Sequence, residues 1–303
     1  MALSLELPLR IRAPAKVNLC LHVGAPRGDK LHEICSLFQA VTLADEVRLE
    51  EGEGADEVVC PRVHGPNLAA AALEGFRHRF GWPAPPLRIV IDKRIPIAGG
   101  LGGGSADAAA VLRLAVAASG LVPAPGEVAE LAMELGADVP SQLAPGTCLV
   151  TGAGENAERL ETPSGLALVL LTGTGGLATA QVYARAEGHG LPAQDLAAIA
   201  DGLRDSVLRA RSGADLAPLV HNDLQPAALA LEPTIATALA LLDEAGALAA
   251  AVSGSGPTAF GLFSGGAEAE AARRDLTERW EGEVVLAAAV PPGYADPEPA
   301  STA

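Results

Sequence analysis

A chain of 303 residues, 49% of them apolar, is long enough to bury the cores of two domains and too apolar to be disordered as a whole. Its 21 basic and 37 acidic side chains leave a formal charge of −16, and that field repels nucleic acid and anionic membrane surfaces. With two Trp, two Tyr and five Phe, there is little aromatic surface on which to stack single-stranded bases.

The first twelve residues lack the basic start and apolar core of a secretory signal, and no apolar run reaches the length of a membrane span. Cys20, Cys35, Cys60 and Cys148 are scattered without metal-ligand spacing, which fits reduced thiols in a cytoplasmic protein. Alternation predicts strands over 5–13, 17–23 and 37–50, followed by an alanine-rich helix over 66–80 that opens at Pro66 and Asn67. A strand over 87–96 delivers a glycine loop, and the helix after that loop stops at Gly120. Another helix, 125–135, ends at Gly136, and strands follow over 146–151 and 166–172. Polar and turn residues over 155–165 make the clearest break in the chain. Beyond it, helices are expected over 179–186, 192–210, 214–231, 234–245 and 267–280, with strands over 248–252, 258–263 and 283–290. This alternation with hairpin returns is an α+β pattern. The Pro-rich tail 291–303 is expected to fray.

The loop is the strongest chemical signal. From Gly99 to Gly104 every residue except Leu101 is glycine, and the run passes into Ser105-Ala-Asp-Ala-Ala-Ala-Val-Leu112. Glycine admits left-handed backbone and leaves no Cβ between amides and a ligand. The helix that follows offers unpaired N–H groups and the positive end of its dipole, so the site suits phosphate. It is not a P-loop, since Gly104 is followed by Ser105-Ala106 rather than Lys-Ser/Thr. Nor does an acidic residue on a second strand complete a dinucleotide fingerprint. Asp107, expected in the first turn of that helix, either complements the dipole or holds a metal ion that bridges the phosphates.

Phosphoryl transfer asks for a positioned hydroxyl, charge stabilisation and a carboxylate to take the proton. Lys16, set between a proline turn and an apolar strand, is an unusual choice for a half-buried strand and calls for an anionic partner. Asp138, just past the helix stop at Gly136, either caps the next turn or serves as a general base. His32 sits in a charged loop before an apolar strand. Ser253-Gly-Ser-Gly-Pro257 is a second glycine–hydroxyl turn, suited to close approach of a phosphate.

Pro14-Ala-Lys-Val-Asn-Leu19, the stretch Pro96 to Ala110 and Ser253-Gly-Ser-Gly-Pro257 resemble, in order and spacing, the three motifs of the GHMP kinase superfamily. Arg27-x-Asp-x-x-His32 leading to Leu37-Phe-Gln39, Gly136-Ala-Asp-Val-Pro140, Thr179-x-x-x-Tyr183 and His221-Asn-Asp-Leu224 are similar to the branch that phosphorylates the 2-hydroxyl of 4-diphosphocytidyl-2-C-methyl-D-erythritol in non-mevalonate isoprenoid synthesis. The resemblance covers nearly the whole chain. It implies an α+β, two-domain GHMP kinase fold. An ATP-binding domain like domain 2 of ribosomal protein S5 would span 1–158, a ferredoxin-like domain 159–290 and a flexible tail 291–303, with the active site in the cleft. Asp138 falls on the catalytic base and Lys16 on its electrostatic partner. Pro96, Gly99, Gly100, Leu101, Gly102, Gly103, Gly104 and Ser105 fall on the wrap around the ATP phosphates, and Asn67 lies near the adenine. Asn18, His32, Thr179 and Tyr183 fall on substrate positions, with His32 reading the cytosine and Tyr183 stacking on it. The resemblance further implies ATP and Mg²⁺ as cofactors, no dedicated protein metal ligands, a small-molecule substrate, and a monomer or weak homodimer. One departure stands out: Asp29-Lys30-Leu31-His32 replaces the usual Asp-Gly-Tyr-His, so one stacking partner of the base is lost, a loss that a contact of Lys30 with a diphosphate oxygen would offset. The alternatives are a GHMP kinase for homoserine or mevalonate, and a non-catalytic nucleotide-binding protein.

Overall fold

The computed structural model describes residues 6–29, 31–63, 65–173 and 175–301. Two long antiparallel strands, β1 (Leu9–Pro26) and β2 (His32–Glu51), form the spine of the molecule. The strands expected over 5–13 and 17–23 are one strand, apart from Leu5, which lies outside the described residues. Pro14 cannot donate to the ladder, and the pairing absorbs it as a register shift between Pro14 and Lys16 instead of ending there. β3 (Glu57–Val59) is followed by α1 (Leu68–Phe80), which starts where Asn67 accepts the Ala69 N–H and stops at Gly81 in left-handed backbone. β4 (Leu87–Asp92) pairs antiparallel with β2 and parallel with β3. Then come α2 (Gly103–Ser119), α3 (Glu127–Leu135) and α4 (Val139–Gln142). β5 (Thr147–Gly152) pairs with β2, and β6 (Asn156–Leu160) returns along β5.

β6 corrects one expectation. The polar stretch taken as an interdomain break is an edge strand whose residues before Leu160 are all exposed, so its polarity marks a solvent face and not a linker. A boundary between 158 and 159 cuts this strand in two.

The second half builds β7 (Ala167–Leu171), α5 (Thr179–His189) and α6 (Leu196–Arg209). A single helix expected over 214–231 is three pieces instead: a 3₁₀ turn over Gly213–Leu219, β8 (His221–Asn222) and α7 (Gln225–Leu231). Pro218 and Pro226 remove helical donors, and β8 crosses back to pair in parallel with Cys20 and Leu21 of β1. α8 (Thr234–Glu244), β9 (Ala249–Val252), β10 (Ala259–Phe263), α9 (Gly266–Arg279) and β11 (Val284–Ala288) complete an antiparallel sheet in the order β11-β7-β10-β9.

The tail is not frayed where it is described. Its β12 (Glu298–Pro299) pairs with Leu9 and Arg10, and Glu298 meets Arg10 at 3.0 Å. The Tyr294 hydroxyl donates to the Thr42 carbonyl at 2.6 Å, with the Arg12 guanidinium 4.9 Å from the tyrosine ring centre.

The core includes one part under the first sheet and one shared between the sheets. Ile11, Val47 and Ile89 pack on Phe76 of α1 and Leu112 of α2. On the other side, Val17, Leu19 and Leu37 of β1 and β2 meet Leu168, Leu170, Phe260 and Leu262 of the second sheet, with Leu203 and Val207 of α6. Among the described residues, no helix is long and apolar enough to cross a membrane.

Candidate active site

A cavity of about 640 Å³ opens where the glycine loop, Lys16 and Asn18 of β1, the start of α5 and the turn 253–257 converge. The loop is held in a shape that needs its glycines. Gly100 and Gly102 have φ of 77° and 70°, and a Cβ on Gly100 would overlap the Ser253 carbonyl oxygen. Ala98, at φ 55°, takes the same left-handed region with a side chain. The Lys16 N–H donates to the Leu101 carbonyl and the Ser253 hydroxyl to the Gly100 carbonyl, both at 3.0 Å. These bonds fasten the loop to β1 on one side and to the second half on the other. Gly102 stands at the N-cap of α2, and it carries no side chain to occupy the orphan amides of the first turn. Those amides remain available to an anion.

Lys16 is buried, with Nζ 2.6 Å from Asn18 Oδ1, 3.6 Å from Asp138 Oδ2 and 4.5 Å from the Phe38 ring centre. Asp138 stands at the N-cap of α4, yet its side chain makes no capping bond among the described residues. The carboxylate, 34% exposed, faces Lys16 and the cavity. Asn18 is fixed by its amide, which donates to Ser36 Oγ at 2.9 Å. The Thr179 hydroxyl lies 3.0 Å from Ser255 Oγ, so α5 and the 253–257 turn meet at the wall. Tyr183, on the next turn of α5, also lines the cavity. Burial first, and then the charge of Asp138, push its phenol up to about 12.

The structure brings Lys16, Asn18, Asn67, Pro96, Gly99 to Ser105, Asp138, Thr179 and Tyr183 to one cavity wall. His32 is not on it. Buried behind Tyr183, its ring lies 5.2 Å from the tyrosine ring. Its Nδ1 is 3.0 Å from the Gly24 carbonyl and its Nε2 is 2.8 Å from Glu187 Oε1. Leu31 is half-exposed, and Lys30 lies outside the described residues.

Residues 67–146 match the family of GHMP kinases N terminal domains, and residues 199–282 match that of GHMP kinases C terminal domains. A 4-diphosphocytidyl-2-C-methyl-D-erythritol kinase of Mycolicibacterium gilvum is 44% identical over 276 residues, covering 85% of this chain and 83% of that one. The chain belongs to the 4-diphosphocytidyl-2-C-methyl-D-erythritol kinase family. As a member of that family it is a small-molecule kinase. A crystal structure of 4-(cytidine 5'-diphospho)-2C-methyl-D-erythritol kinase is 30% identical, with a TM-score of 0.74 over 92% of this chain and 98% of that one. The homoserine kinase from Cytophaga hutchinsonii superposes as well, with a TM-score of 0.75 over 98% of each chain, but at 19% identity. That second likeness shows the GHMP fold alone; the kinase family is set by the sequence match.

One constellation of this kinase escaped the reading of the sequence. Lys93, Asp45 and Asp107 form a buried triad beside the cavity: Lys93 Nζ pairs with Asp45 and lies 2.8 Å from Asp107 Oδ2. Asp45 also accepts the N–H groups of Arg94 and Ile95, at 2.6 and 2.8 Å. Burial opposes the Lys93 charge, but Asp107 and Asp45 together hold its pKa above the usual value. Asp107 is pushed up to about 7, chiefly by burial, with Lys93 opposing and Asp45 adding to the shift. Helix α2 begins at Gly103, so Asp107 sits past the first turn and points inward, away from the dipole role expected for it. A lone aspartate on an otherwise alanine-rich helix was the available signal.

Proposed function

We propose that this kinase transfers the γ-phosphoryl group of ATP to the 2-hydroxyl of 4-diphosphocytidyl-2-C-methyl-D-erythritol, with Asp138 as the base. The supporting observation is a carboxylate unused by its own helix, 3.6 Å from a buried ammonium and on the same cavity as the glycine loop. Asp138 takes the hydroxyl proton, the alkoxide oxygen forms a bond to the γ-phosphorus, and the bond to the bridging oxygen of ADP breaks in line. Lys16 stabilises the ionised Asp138 and the charge growing on the hydroxyl oxygen. The loop from Gly99 to Ser105, with Pro96 and Leu101 shaping its turns, offers backbone amides to the phosphates, and Asn67 stands by the adenine. Fixed dipoles at that point do not have to reorganise as charge moves.

Asn18 and Thr179 hold the alcohol in this reading, and Tyr183 stacks on the cytosine. His32, with both nitrogens engaged, serves as a positioning residue that keeps the Tyr183 ring in place. Leu31 leaves the opposite face of the base without an aromatic partner, a loss of about 1–3 kcal/mol by the worth of base stacking. Asp107 and the Ser105 hydroxyl fit a hard cation, because Asp107 Oδ1 is buried in the cavity wall with no hydrogen-bond partner among the described residues. Mg²⁺ held there would neutralise phosphate charge. All four cysteines are free and buried, and burial pushes the thiols of Cys20, Cys35 and Cys148 up to about 12, 11 and 11. Such unreactive thiols suit a reducing cytoplasm, where we place the protein as a monomer or weak homodimer acting on a small molecule.

The test is an ADP-release assay with ATP, Mg²⁺ and the cytidylated alcohol, run beside homoserine and mevalonate. Turnover with the cytidylated alcohol alone is expected. Turnover only with another alcohol would move the substrate assignment, and ATP binding without turnover on any of them would leave a nucleotide-binding protein.

A further inference from the structure

A second group of ligating side chains lies outside the cavity, where the second half of the chain crosses back to the first sheet. β8 runs parallel to β1, with His221 beside Cys20 and Asn222 beside Leu21. This register lays the His221 ring over that of His22, with centroids 4.6 Å apart and planes inclined by 22°. Asp223 completes the group: its Oδ1 is 2.7 Å from His221 Nε2. One ligand atom from each of His22, His221 and Asp223 falls within 4.8 Å of the other two.

Two features distinguish this from a surface ion pair. His22 Nδ1 is buried and has no hydrogen-bond partner among the described residues, a lone pair or N–H left unspent where that is costly. The Asp223 side chain is 6% exposed and locked in orientation, since its Oδ2 accepts the Val23 N–H at 2.7 Å and Gln194 Nε2 at 2.6 Å. A ligand carboxylate held by such outer bonds is the arrangement that orients metal sites.

We propose that His22, His221 and Asp223 form a binding site for a borderline divalent cation of the Zn²⁺ class. Two imidazole nitrogens and one carboxylate oxygen suit Zn²⁺ and Co²⁺, with water in a fourth position, whereas Mg²⁺ prefers an all-oxygen shell. The half-exposed His221 turns about its broad χ2 well to bring its nitrogen onto the point shared with His22. Asn222, between the two ligands, donates to the Val252 and Gly254 carbonyls at 2.7 and 2.8 Å. The site therefore clamps β8 to β1 beside the turn on which the glycine loop rests.

Full-length protein stripped by a chelator and titrated with Co²⁺ tests this. The expected result is one equivalent bound, with the d–d absorption of a nitrogen- and oxygen-ligated ion, no sulfur charge-transfer band, and displacement by Zn²⁺. His22→Ala and His221→Ala should each weaken binding at least tenfold, and Zn²⁺ should raise the Tm of the native protein but not of the variants. Asp138→Asn should bind Co²⁺ unchanged, which separates the site from the ATP cavity. Circular dichroism checks that the variants fold, and the milder His22→Gln replaces His22→Ala if it does not. No bound Co²⁺, a sulfur charge-transfer band, or stoichiometric binding that survives loss of both histidines would overturn the proposal.

Discussion

Asp138 and Asp107 are both carboxylates on the cavity, and their surroundings give them different work. Asp138 is partly exposed and faces one buried ammonium, which suits an ionised base. Asp138→Asn is expected to lower kcat by about 10²–10⁴-fold while leaving ATP affinity nearly unchanged, as read by turnover and by nucleotide titration. Equal kcat in the variant would remove Asp138 from the chemistry. Asp107 shares one lysine with a second buried carboxylate, and proton uptake relieves the surplus charge. Its folded pKa of about 7 stands above the ordinary 3.8, so the folded chain holds a proton that the unfolded chain has released. The stability this group contributes is fully present below 3.8 and is lost as pH rises to about 7. Asp107→Asn should therefore flatten the profile of Tm against pH across that window. An unchanged slope would mean that another group titrates there.

At the scale of elements, the glycine loop keeps its shape because β1 fastens it on one side and the 253–257 turn on the other. Gly100 is the tightest point, combining left-handed backbone with the Ser253 carbonyl where a Cβ would stand. Gly100→Ala is expected to cost about 1–2 kcal/mol from the backbone alone, with the overlap adding to it. Thermal unfolding should show a lowered Tm, and ATP affinity should fall with it as the loop is displaced. Wild-type values for both would show that the loop has room the structure does not give it. Short elements follow the same logic. β8 is only two residues long, yet its Asn222 holds the 253–257 turn and its flanking side chains make the His22 cluster.

Across the whole molecule, the two sheets are joined by a common apolar core, by β8 and by the tail. Val17 and Leu37 from one sheet bury against Leu168 and Phe260 from the other. Each such fully buried side chain is worth about 1.5–3 kcal/mol, so separating the halves exposes the part of the core that they share. Calorimetry should show a single cooperative transition, and a fragment 1–158 should fail to fold. Two resolved transitions would mean independent domains. Truncation after Val290 removes β12 and the Tyr294–Thr42 hydrogen bond, and should lower Tm without altering ATP affinity. An unchanged Tm would mean that the docked tail adds nothing to stability.

The glycine loop, the helix after it, Lys16 and Asp138 as candidates and the order of most strands and helices were legible in the chain itself, and the fold sets both side chains on the loop's cavity. Glycine runs, helix stops and apolar alternation are local signals, set by steric limits and by burial periodicity over a few residues. Tertiary structure decided the rest. It merged two short strands across Pro14, made an edge strand of the largely exposed residues 156–160, broke 214–231 into three pieces and docked the tail. It also placed His32 behind Tyr183 and assembled the Lys93 triad and the His22 cluster from segments 14 to about 200 positions apart. Whether a polar residue is exposed, paired in the core or aimed at a ligand depends on what packs against it, and distant chain segments supply that neighbour only once the fold has formed.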